Sequence, residues 1–430
     1  MIRPSAALAV VAVLATSGAD FDATRSGGPA AAHVIVTPRD AAVFAGGSLR
    51  MHAVVVGSTT ENEPITWWLF GSGHIDGDGT YHAPAVGGDV NSIVAAAKSG
   101  AGSSRIAIVA PPPARAPVAI VACYGDGAVD VRESGGAGSY GRAAIGGALG
   151  GIAVSHDGTV ALATDDERVV SVDLNTMTAR PSKAVTGARF SEAASLRDGL
   201  FAVTDANAGP QDAGVFVFRA SASTVPELVA SAPAGETPEG LAADPDGRTV
   251  YVTAVNSNSI VRFTVSENGA LRRTGSAQTG TRPFGVSLAA RRGLLLVADN
   301  DTPTLSGRAS RPGLEFFTLP SMRRIGSPVA TGSANALPLG IAVDEQADRA
   351  FVTNEGDDDV AVYSLRTFAR LATLRVGRTP WLPAVDQSRH LLYVPDARDD
   401  SVDAFDTRSL HLSAMRAATC AYPIAIGVAR

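Results

Sequence analysis

Two carboxylates and one guanidinium group of this chain stand where acid–base chemistry could occur. Glu192, Glu239 and Arg282 each lie near the start of an apolar segment, and that segment belongs to a unit that recurs along the sequence. A pair of carboxylates can divide the roles of proton donor and proton acceptor, and an arginine can hold a developing negative charge. These three residues are therefore the candidates for a catalytic set.

The same recurring segments carry further arginine and aromatic side chains. Such a mixture suits the binding of a small polar or aromatic ligand. The alternative is that these side chains lock neighbouring units together through salt bridges and packing. The predicted ligand-binding or partner-binding residues are Arg189, Phe190, Glu239, Arg282, Phe284, Arg378, Trp381 and Tyr422.

Five turns of the recurring units are rich in acidic residues. An acidic rim could capture a cation or a basic partner, but Asp and Asn are also good turn formers. A calcium site needs six or more oxygen ligands. The segment 354–359 comes closest to one, with Asp357, Asp358 and Asp359 as candidate ligands, although it lacks the spacing of a calcium loop. No cofactor and no other metal site is predicted.

Motifs for catalysis are absent from the sequence. It contains no Gly-x-Ser-x-Gly, no Cys-x-x-Cys, no phosphate-binding glycine loop and no His-Glu-x-x-His. Four of the seven histidines fall before residue 110, and we expect the other three, His156, His390 and His411, to lie in turns away from the candidate site. This pattern favours a protein that binds without catalysis.

The N-terminus and the composition indicate an exported protein. Arg3 precedes the apolar run 6–15, and Ser17-Gly18-Ala19 resembles a cleavage site, so we predict a signal peptide. The run is shorter than the ~20 residues that span a bilayer. The net charge of −6 at pH 7 gives no nucleic-acid footprint. We expect a monomer that has no membrane span and is periplasmic or extracellular.

Alternating apolar patterns and proline-rich breaks divide the chain. Residues 33–109 show short alternating runs separated by turns, as in a β-sandwich, and prolines 111–113 mark a stiff linker. From residue 117 onward, an apolar unit returns every ~40–55 residues, which is the spacing of four-stranded propeller blades. The predicted segments are a signal peptide (1–19), a flexible lead (20–32), a β-sandwich domain (33–109), a linker (110–116) and a propeller (117–430).

The repeat is clearest in three copies. Residues 238–247 read Pro-Glu-Gly-Leu-Ala-Ala-Asp-Pro-Asp-Gly and precede Val-Tyr-Val-Thr, and residues 338–343 precede Phe-Val-Thr-Asn. A third copy begins at Thr379. The first unit lacks its opening strand, whereas residues 422–428 are an opening strand with nothing after it. Joining these two ends predicts seven blades and removes exposed sheet edges.

These motifs resemble two known families. Residues 36–84, with Thr66-Trp67, Asp78-Gly79-Thr-Tyr81 and Ala83-Pro84, resemble bacterial immunoglobulin-like domains, which implies a spacer or an adhesion stalk. Either Trp67 or Trp68 is then the core indole, with sugar stacking as the alternative. Residues 117–430 resemble YVTN-repeat propellers and, more distantly, lactonase propellers. Lactonase propellers carry histidine in the loops that enter each blade, and this chain does not.

The shared blade brings the two cysteines together. Cys123 ends the second strand of that blade and Cys420 precedes its first strand, and the two strands are antiparallel neighbours. We predict a Cys123–Cys420 disulfide, and the alternative is two reduced core cysteines.

The fold prediction is all-β, with an immunoglobulin-like sandwich followed by a seven-bladed propeller. The leading functional hypothesis is an exported binding or scaffold protein, whose propeller face binds an unknown protein or a small polar ligand. The alternatives are a lactonase-like hydrolase of a sugar lactone or cyclic ester, and a cell-surface adhesin.

Overall fold

The structure is a computed structural model, and it describes residues 32–37, 40–44, 48–58, 63–84, 90–109, 118–133, 139–301 and 312–429. Helix within these ranges is limited to two 3-10 turns, Ala290–Arg292 and Ala397–Asp399, so the chain is all-β as predicted. The predicted signal peptide, nearly all of the lead and the linker lie outside the described residues. Nowhere in these ranges does a helix have the length and apolar character needed to cross a bilayer.

The N-terminal unit, residues 32–109, consists of short strands around one apolar core. β1 pairs with β4, β2-β9-β8-β5 form one sheet, and β3-β7-β6 form another. Buried side chains that include Met51, Tyr81 and Ile93 fill the space between them. The strands are β1 (His33–Thr37), β2 (Asp40–Phe44), β3 (Ser48–Arg50), β4 (His52–Val56), β5 (Thr66–Phe70), β6 (His74–Ile75), β7 (Thr80–His82), β8 (Val90–Ala97) and β9 (Gly100–Val109).

The two tryptophans of β5 point to opposite faces, as alternation along a strand requires. Trp67 packs against the core of the N-terminal unit. Trp68 is 52% exposed, and Phe70 on the same face is 46% exposed. Trp67 is thus the core indole, and Trp68 is available to solvent.

Residues 118–429 form seven four-stranded antiparallel sheets, here called the seven-sheet body and numbered 1 to 7. Sheet 1 contains β10 (Val118–Cys123), β11 (Ala128–Glu133), β12 (Ser139–Ala144) and the C-terminal β37 (Pro423–Ala429). Sheet 2 contains β13 (Leu149–Val154), β14 (Val160–Asp165), β15 (Arg168–Asp173) and β16 (Thr178–Pro181). Sheet 3 contains β17 (Phe190–Ser195), β18 (Leu200–Asp205), β19 (Val215–Arg219) and β20 (Glu227–Ala232).

The remaining four sheets follow the same order along the chain. Sheet 4 contains β21 (Pro238–Ala243), β22 (Thr249–Ala254), β23 (Ser259–Val265) and β24 (Leu271–Gln278). Sheet 5 contains β25 (Pro283–Ala289), β26 (Leu294–Asp299), β27 (Gly313–Thr318) and β28 (Arg323–Ala330). Sheet 6 contains β29 (Pro338–Asp344), β30 (Arg349–Asn354), β31 (Asp359–Ser364) and β32 (Arg370–Arg375), and sheet 7 contains β33 (Ala384–Asp386), β34 (Leu391–Asp396), β35 (Ser401–Asp406) and β36 (Leu412–Ala418).

The two ends of the seven-sheet body meet in sheet 1. β10 pairs antiparallel with β37, with Val118 opposite Ala429 and Val121 opposite Ile426. The first strand of each sheet contacts the first strand of the next, and β33 and β13 both contact β37. These contacts are consistent with a β-propeller.

A threonine on the second strand ties each of four sheets to its successor. Thr253 receives a hydrogen bond from the Gly240 amide (2.9 Å) and donates one to the carbonyl oxygen of Phe284 on sheet 5 (2.6 Å). Thr164, Thr204 and Thr353 make the same two bonds in sheets 2, 3 and 6. The threonine of the repeat is therefore a connection between sheets.

The glycine of the repeat is explained by the close approach of neighbouring sheets. A Cβ atom added at Gly240 would lie 2.0 Å from the carbonyl oxygen of Phe284, and one at Gly285 would lie 2.2 Å from that of Leu339. The first strands approach each other too closely at this level for most side chains.

The predicted disulfide is confirmed. Cys123 and Cys420 are bonded across 297 residues of chain, with their Cα atoms 5.7 Å apart, and both residues are buried. Disulfides of this kind are typical of oxidising compartments.

Candidate functional site

A cavity of about 390 Å³ lies among the first strands of the seven-sheet body. Every one of the seven sheets contributes to its wall, mostly with Gly, Ala and aliphatic residues. The polar side chains in its lining are Glu192, Ser287, Glu345 and Gln387. This cavity is the candidate functional site.

Glu192 occupies a position that is glycine in sheets 2, 4, 5 and 6. Its amide donates to Thr204 Oγ1 (3.1 Å), just as the Gly240 amide donates to Thr253 one sheet later. The side chain fits because its carboxylate reaches β21, where the Leu241 amide donates to Glu192 Oε2 (3.0 Å). A departure from the repeat at a crowded level of the cavity is typical of functional positions.

Glu239 lies beside Glu192 and is held by sheet 3. Arg189 Nη2 donates to Glu239 Oε1 (3.2 Å), and Ser191 Oγ donates to Glu239 Oε2. Glu239 is 8% exposed, whereas the Arg189 side chain is 54% exposed. The Glu239 side chain thus crosses from sheet 4 to sheet 3, and the Glu192 side chain crosses from sheet 3 to sheet 4.

The surroundings of both carboxyl groups favour the protonated form. Burial raises the pKa of Glu192 to about 8, with a smaller contribution from the charge of Glu239, while the Leu241 amide opposes the shift. Burial also raises the pKa of Glu239, although Ser191, Arg189 and the charge of Arg282 lower it. Because Glu192 has no basic hydrogen-bond partner, it is the less compensated of the two.

Arg282 precedes the first strand of sheet 5, on the same side of the body as Glu239. Its amide donates to Asn258 Oδ1 (2.8 Å), and its guanidinium donates to Asn256 Oδ1 (3.4 Å). The charge of Arg282 acts on Glu239, and that of Glu239 acts on Glu192, so the three candidate catalytic residues are neighbours. Glu192 and Glu239 are nevertheless directed across the boundary between sheets 3 and 4.

A second group of predicted residues lies around sheets 7 and 1. The Arg378 side chain is 65% exposed and pairs with Asp399 at 2.7 Å. Trp381 and Tyr422 pack against the core between sheets 1 and 2, and the Tyr422 ring lies 5.8 Å from that of Tyr124. The predicted binding residues thus form two separate groups.

Phe190, one of the predicted binding residues, does not line the cavity. Its ring is buried between sheets 2 and 3, where it makes edge contacts with Phe216 and Phe218 at 5.2 and 5.7 Å. Alternation along β17 turns Phe190 toward the core. Phe284 is half-buried, and its carbonyl oxygen accepts the bond from Thr253.

Acidic turn residues bond to the segments that enter the next sheet. Asp358 Oδ1 accepts from the Thr379 amide (2.8 Å), and Asp400 Oδ1 accepts from the Tyr422 amide (2.9 Å). Asp357 accepts from Ser333, and Asp359 accepts from Asn354. The three candidate calcium ligands therefore contact three different partners. No group of three His, Cys, Asp or Glu in the described ranges is arranged to hold a metal ion.

The three histidines of the body lie in turns at the other ends of the strands. His156 lies between the first and second strands of sheet 2, 3.1 Å from the carbonyl oxygen of Leu196. His390 lies before the second strand of sheet 7 and is bonded to Asp344 (2.8 Å). His411 precedes β36. None of them lines the cavity.

Four polar residues of the site, Ser191, Ser287, Glu345 and Gln387, were not predicted from the sequence. Ser191 holds Glu239, and Glu345 lines the cavity from the turn after β29. An alignment of the repeats shows that Glu192 replaces a glycine, and this departure marks Glu192 in the sequence. Glu345 had no such signal, because acidic residues are common in turns.

No protein-family model matches the chain, and no curated protein matches it. Several solved structures, however, are similar to the chain. A proposed 6-phosphogluconolactonase from Bacteroides fragilis NCTC 9343 is 13% identical, with a TM-score of 0.61 over 74% of this chain and 100% of that one. A similar protein from Bacteroides uniformis ATCC 8492 is 13% identical, with a TM-score of 0.60 over 73% and 99%. Kuenenia stuttgartiensis hydrazine synthase is 14% identical, with a TM-score of 0.57 over 67% and 91%.

The shared feature is the fold. Identities of 13–14% carry no residue of a site from one protein to another. Propellers also host many unrelated activities. The function therefore has to be argued from the cavity and the side chains around it.

Proposed function

We propose that residues 117–430 are a seven-bladed β-propeller closed by the blade that its two ends share, and that residues 33–109 are an immunoglobulin-like domain. The pairing of β10 with β37 and the contacts between successive first strands support the first assignment. The single apolar core of the N-terminal unit, with Trp67 against it, supports the second. The N-terminal domain acts as a spacer in an exported protein.

The propeller binds a ligand or partner at the cavity without transforming it. One observation carries this proposal: the side chains nearest to a catalytic set are already committed to contacts between sheets. Glu239 is held by Arg189 and Ser191, and Glu192 accepts from the Leu241 amide. The cavity beside them remains open to a ligand.

Hydrolysis of a panel of sugar lactones tests the proposal. We expect the full chain to give the buffer rate, and Glu239→Ala to give the same rate. Glu236→Ala is the matched control, because Glu236 is exposed and does not line the cavity. Hydrolysis by the wild type that is lost in Glu239→Ala and kept in Glu236→Ala would overturn the proposal.

A lactonase-like hydrolase is the second candidate. The raised pKa of Glu192, about 8, suits a general acid near neutral pH, and Arg282 lies nearby to bind an anion. The proposed lactonases with the same fold point in the same direction. No histidine of the described ranges lines the cavity, which weighs against this candidate.

An adhesin remains the third candidate because of the exposed Trp68 and Phe70 on β5. Exposed aromatic residues on one sheet face are common in binding surfaces. We expect Trp68→Ala, introduced into the full chain, to leave adhesion to host cells unchanged. A loss of adhesion in Trp68→Ala, with adhesion retained in Glu236→Ala, would favour the adhesin.

A further inference from the structure

The charge of the cavity lining is one-sided. Glu192 and Glu345 are its two ionisable side chains, and no Lys, Arg or His of the described ranges lines it. The nearby guanidinium groups lie outside this lining, where Arg189 binds Glu239 and Arg282 donates to Asn256. A cationic ligand would therefore be attracted by the two carboxylates, and no basic side chain in this lining would compete with it for them.

Neither carboxylate has a cationic partner among the described residues. Glu192 accepts its hydrogen bond from the neutral Leu241 amide. Glu345 Oε2 is shielded from solvent and has no hydrogen-bond partner among the described residues. Removing a carboxylate from water without a counter-ion is costly, so each of these groups gains from an incoming cation.

The two carboxylates lie at different depths and on different sides of the cavity. Glu192 stands at the level of Gly340 on sheet 6, and Glu345 follows Gly340 by five residues. Four of these five steps lie within β29, which ends at Asp344, and at ~3.3 Å per residue they correspond to about 13 Å of strand. Sheets 3 and 6 are also three sheets apart in a body of seven. One compact ion cannot reach both groups.

We propose that the cavity binds a linear organic polycation, with one ammonium group paired to Glu192 and another to Glu345. The Gly, Ala and aliphatic residues of the wall suit the methylene chain between the charges. No aromatic side chain from the described part of the chain lines the cavity to stack on a sugar. This inference rests on the proposed binding function and names the ligand class for the same cavity.

The test is isothermal titration of the full chain with spermine at pH 8.5 and low salt, because the pKa of Glu192 is about 8 and its side chain must be ionised to pair with an ammonium group. We expect spermine to bind at least tenfold more tightly than putrescine, which is too short to reach both carboxylates, and than Mg²⁺. Glu192→Gln and Glu345→Gln should each weaken spermine binding by at least tenfold. The matched control is Glu236→Gln, which removes the same charge from an exposed position outside the cavity and should bind spermine as the wild type does.

The inference is overturned if spermine binds no better than Mg²⁺, or if both cavity variants bind spermine as tightly as Glu236→Gln does. Circular dichroism and thermal melts of each variant identify any loss that comes from misfolding, and a well-folded Glu345→Gln is sufficient if Glu192→Gln does not fold. Titration with maltotriose distinguishes a failure of the polycation inference from a failure of the proposed binding function. If maltotriose binds and spermine does not, the binding function survives and the polycation is excluded.

Discussion

At the residue scale, the site is defined by two glutamate side chains, Glu192 and Glu239, that cross the boundary between sheets 3 and 4. Glu239 is compensated by Arg189 and Ser191, whereas Glu192 has a neutral partner. The two carboxyl groups therefore differ in how readily they ionise, although both carry raised pKa values.

Glu192 should make the stability of the protein depend on pH. Its pKa is about 8 in the folded state and about 4.5 as a free side chain, so between these pH values the folded state holds a proton that the unfolded state releases. Stability from this group is therefore present below pH 4.5 and is lost as the pH rises toward 8. We expect thermal melts from pH 5 to 8 to show a steeper fall in Tm for the wild type than for Glu192→Gln. Parallel curves would contradict the assignment.

The sequence predicted part of this site. It identified Glu192, Glu239, Arg189 and Arg282 because they stand where each unit begins. The position of Phe190 in the repeat does not show which face of its strand it occupies, and its ring is buried between sheets 2 and 3. Glu345 was missed because a turn carboxylate is directed toward a cavity by tertiary structure, which has no local signature.

At the element scale, the repeat is explained by contacts between neighbouring sheets. In sheets 2, 4 and 6 the threonine and the glycine serve the same junction, since the threonine bonds across it and the glycine leaves room for it. Sheet 5 has Ala298 at the threonine position, and Asn300 Nδ2 instead donates to the carbonyl oxygen of Pro338 (3.0 Å). Strand order could be predicted from the repeat, but this replacement could not.

Removing one of these threonine hydroxyls should destabilise the body. Thr253→Val leaves the Gly240 amide and the Phe284 carbonyl without their buried partner, which costs about 2 kcal/mol in the free energy of unfolding. Thr249→Val is the control on the same strand, because Thr249 is only partly buried, and we expect a change within about 0.5 kcal/mol. Urea denaturation measures both, and equal effects of the two variants would refute the role of Thr253.

At the scale of the whole molecule, the ends of the seven-sheet body are held together twice, by strand pairing and by a covalent bond. β37 completes sheet 1, and Cys420, just before it, is bonded to Cys123. The sequence predicted this arrangement because the first and last units are incomplete in complementary ways.

Removal of the disulfide should lower stability without changing the fold. For a loop of 297 residues, chain entropy alone gives about 6 kcal/mol as an upper estimate. The double variant Cys123→Ser/Cys420→Ser, which leaves no free thiol, should unfold at lower urea concentration and keep the far-UV circular dichroism of the wild type. An unchanged midpoint would show that strand pairing alone holds the ends.

The central claim is that the cavity among the seven first strands is the binding site. Its most direct test is the thermal shift of wild type and Glu192→Gln across one panel of amines, sugars and lactones, with Glu236→Gln as the control. We predict that compounds that stabilise the wild type and Glu236→Gln stabilise Glu192→Gln less. Equal shifts for all three proteins across the panel would contradict the claim.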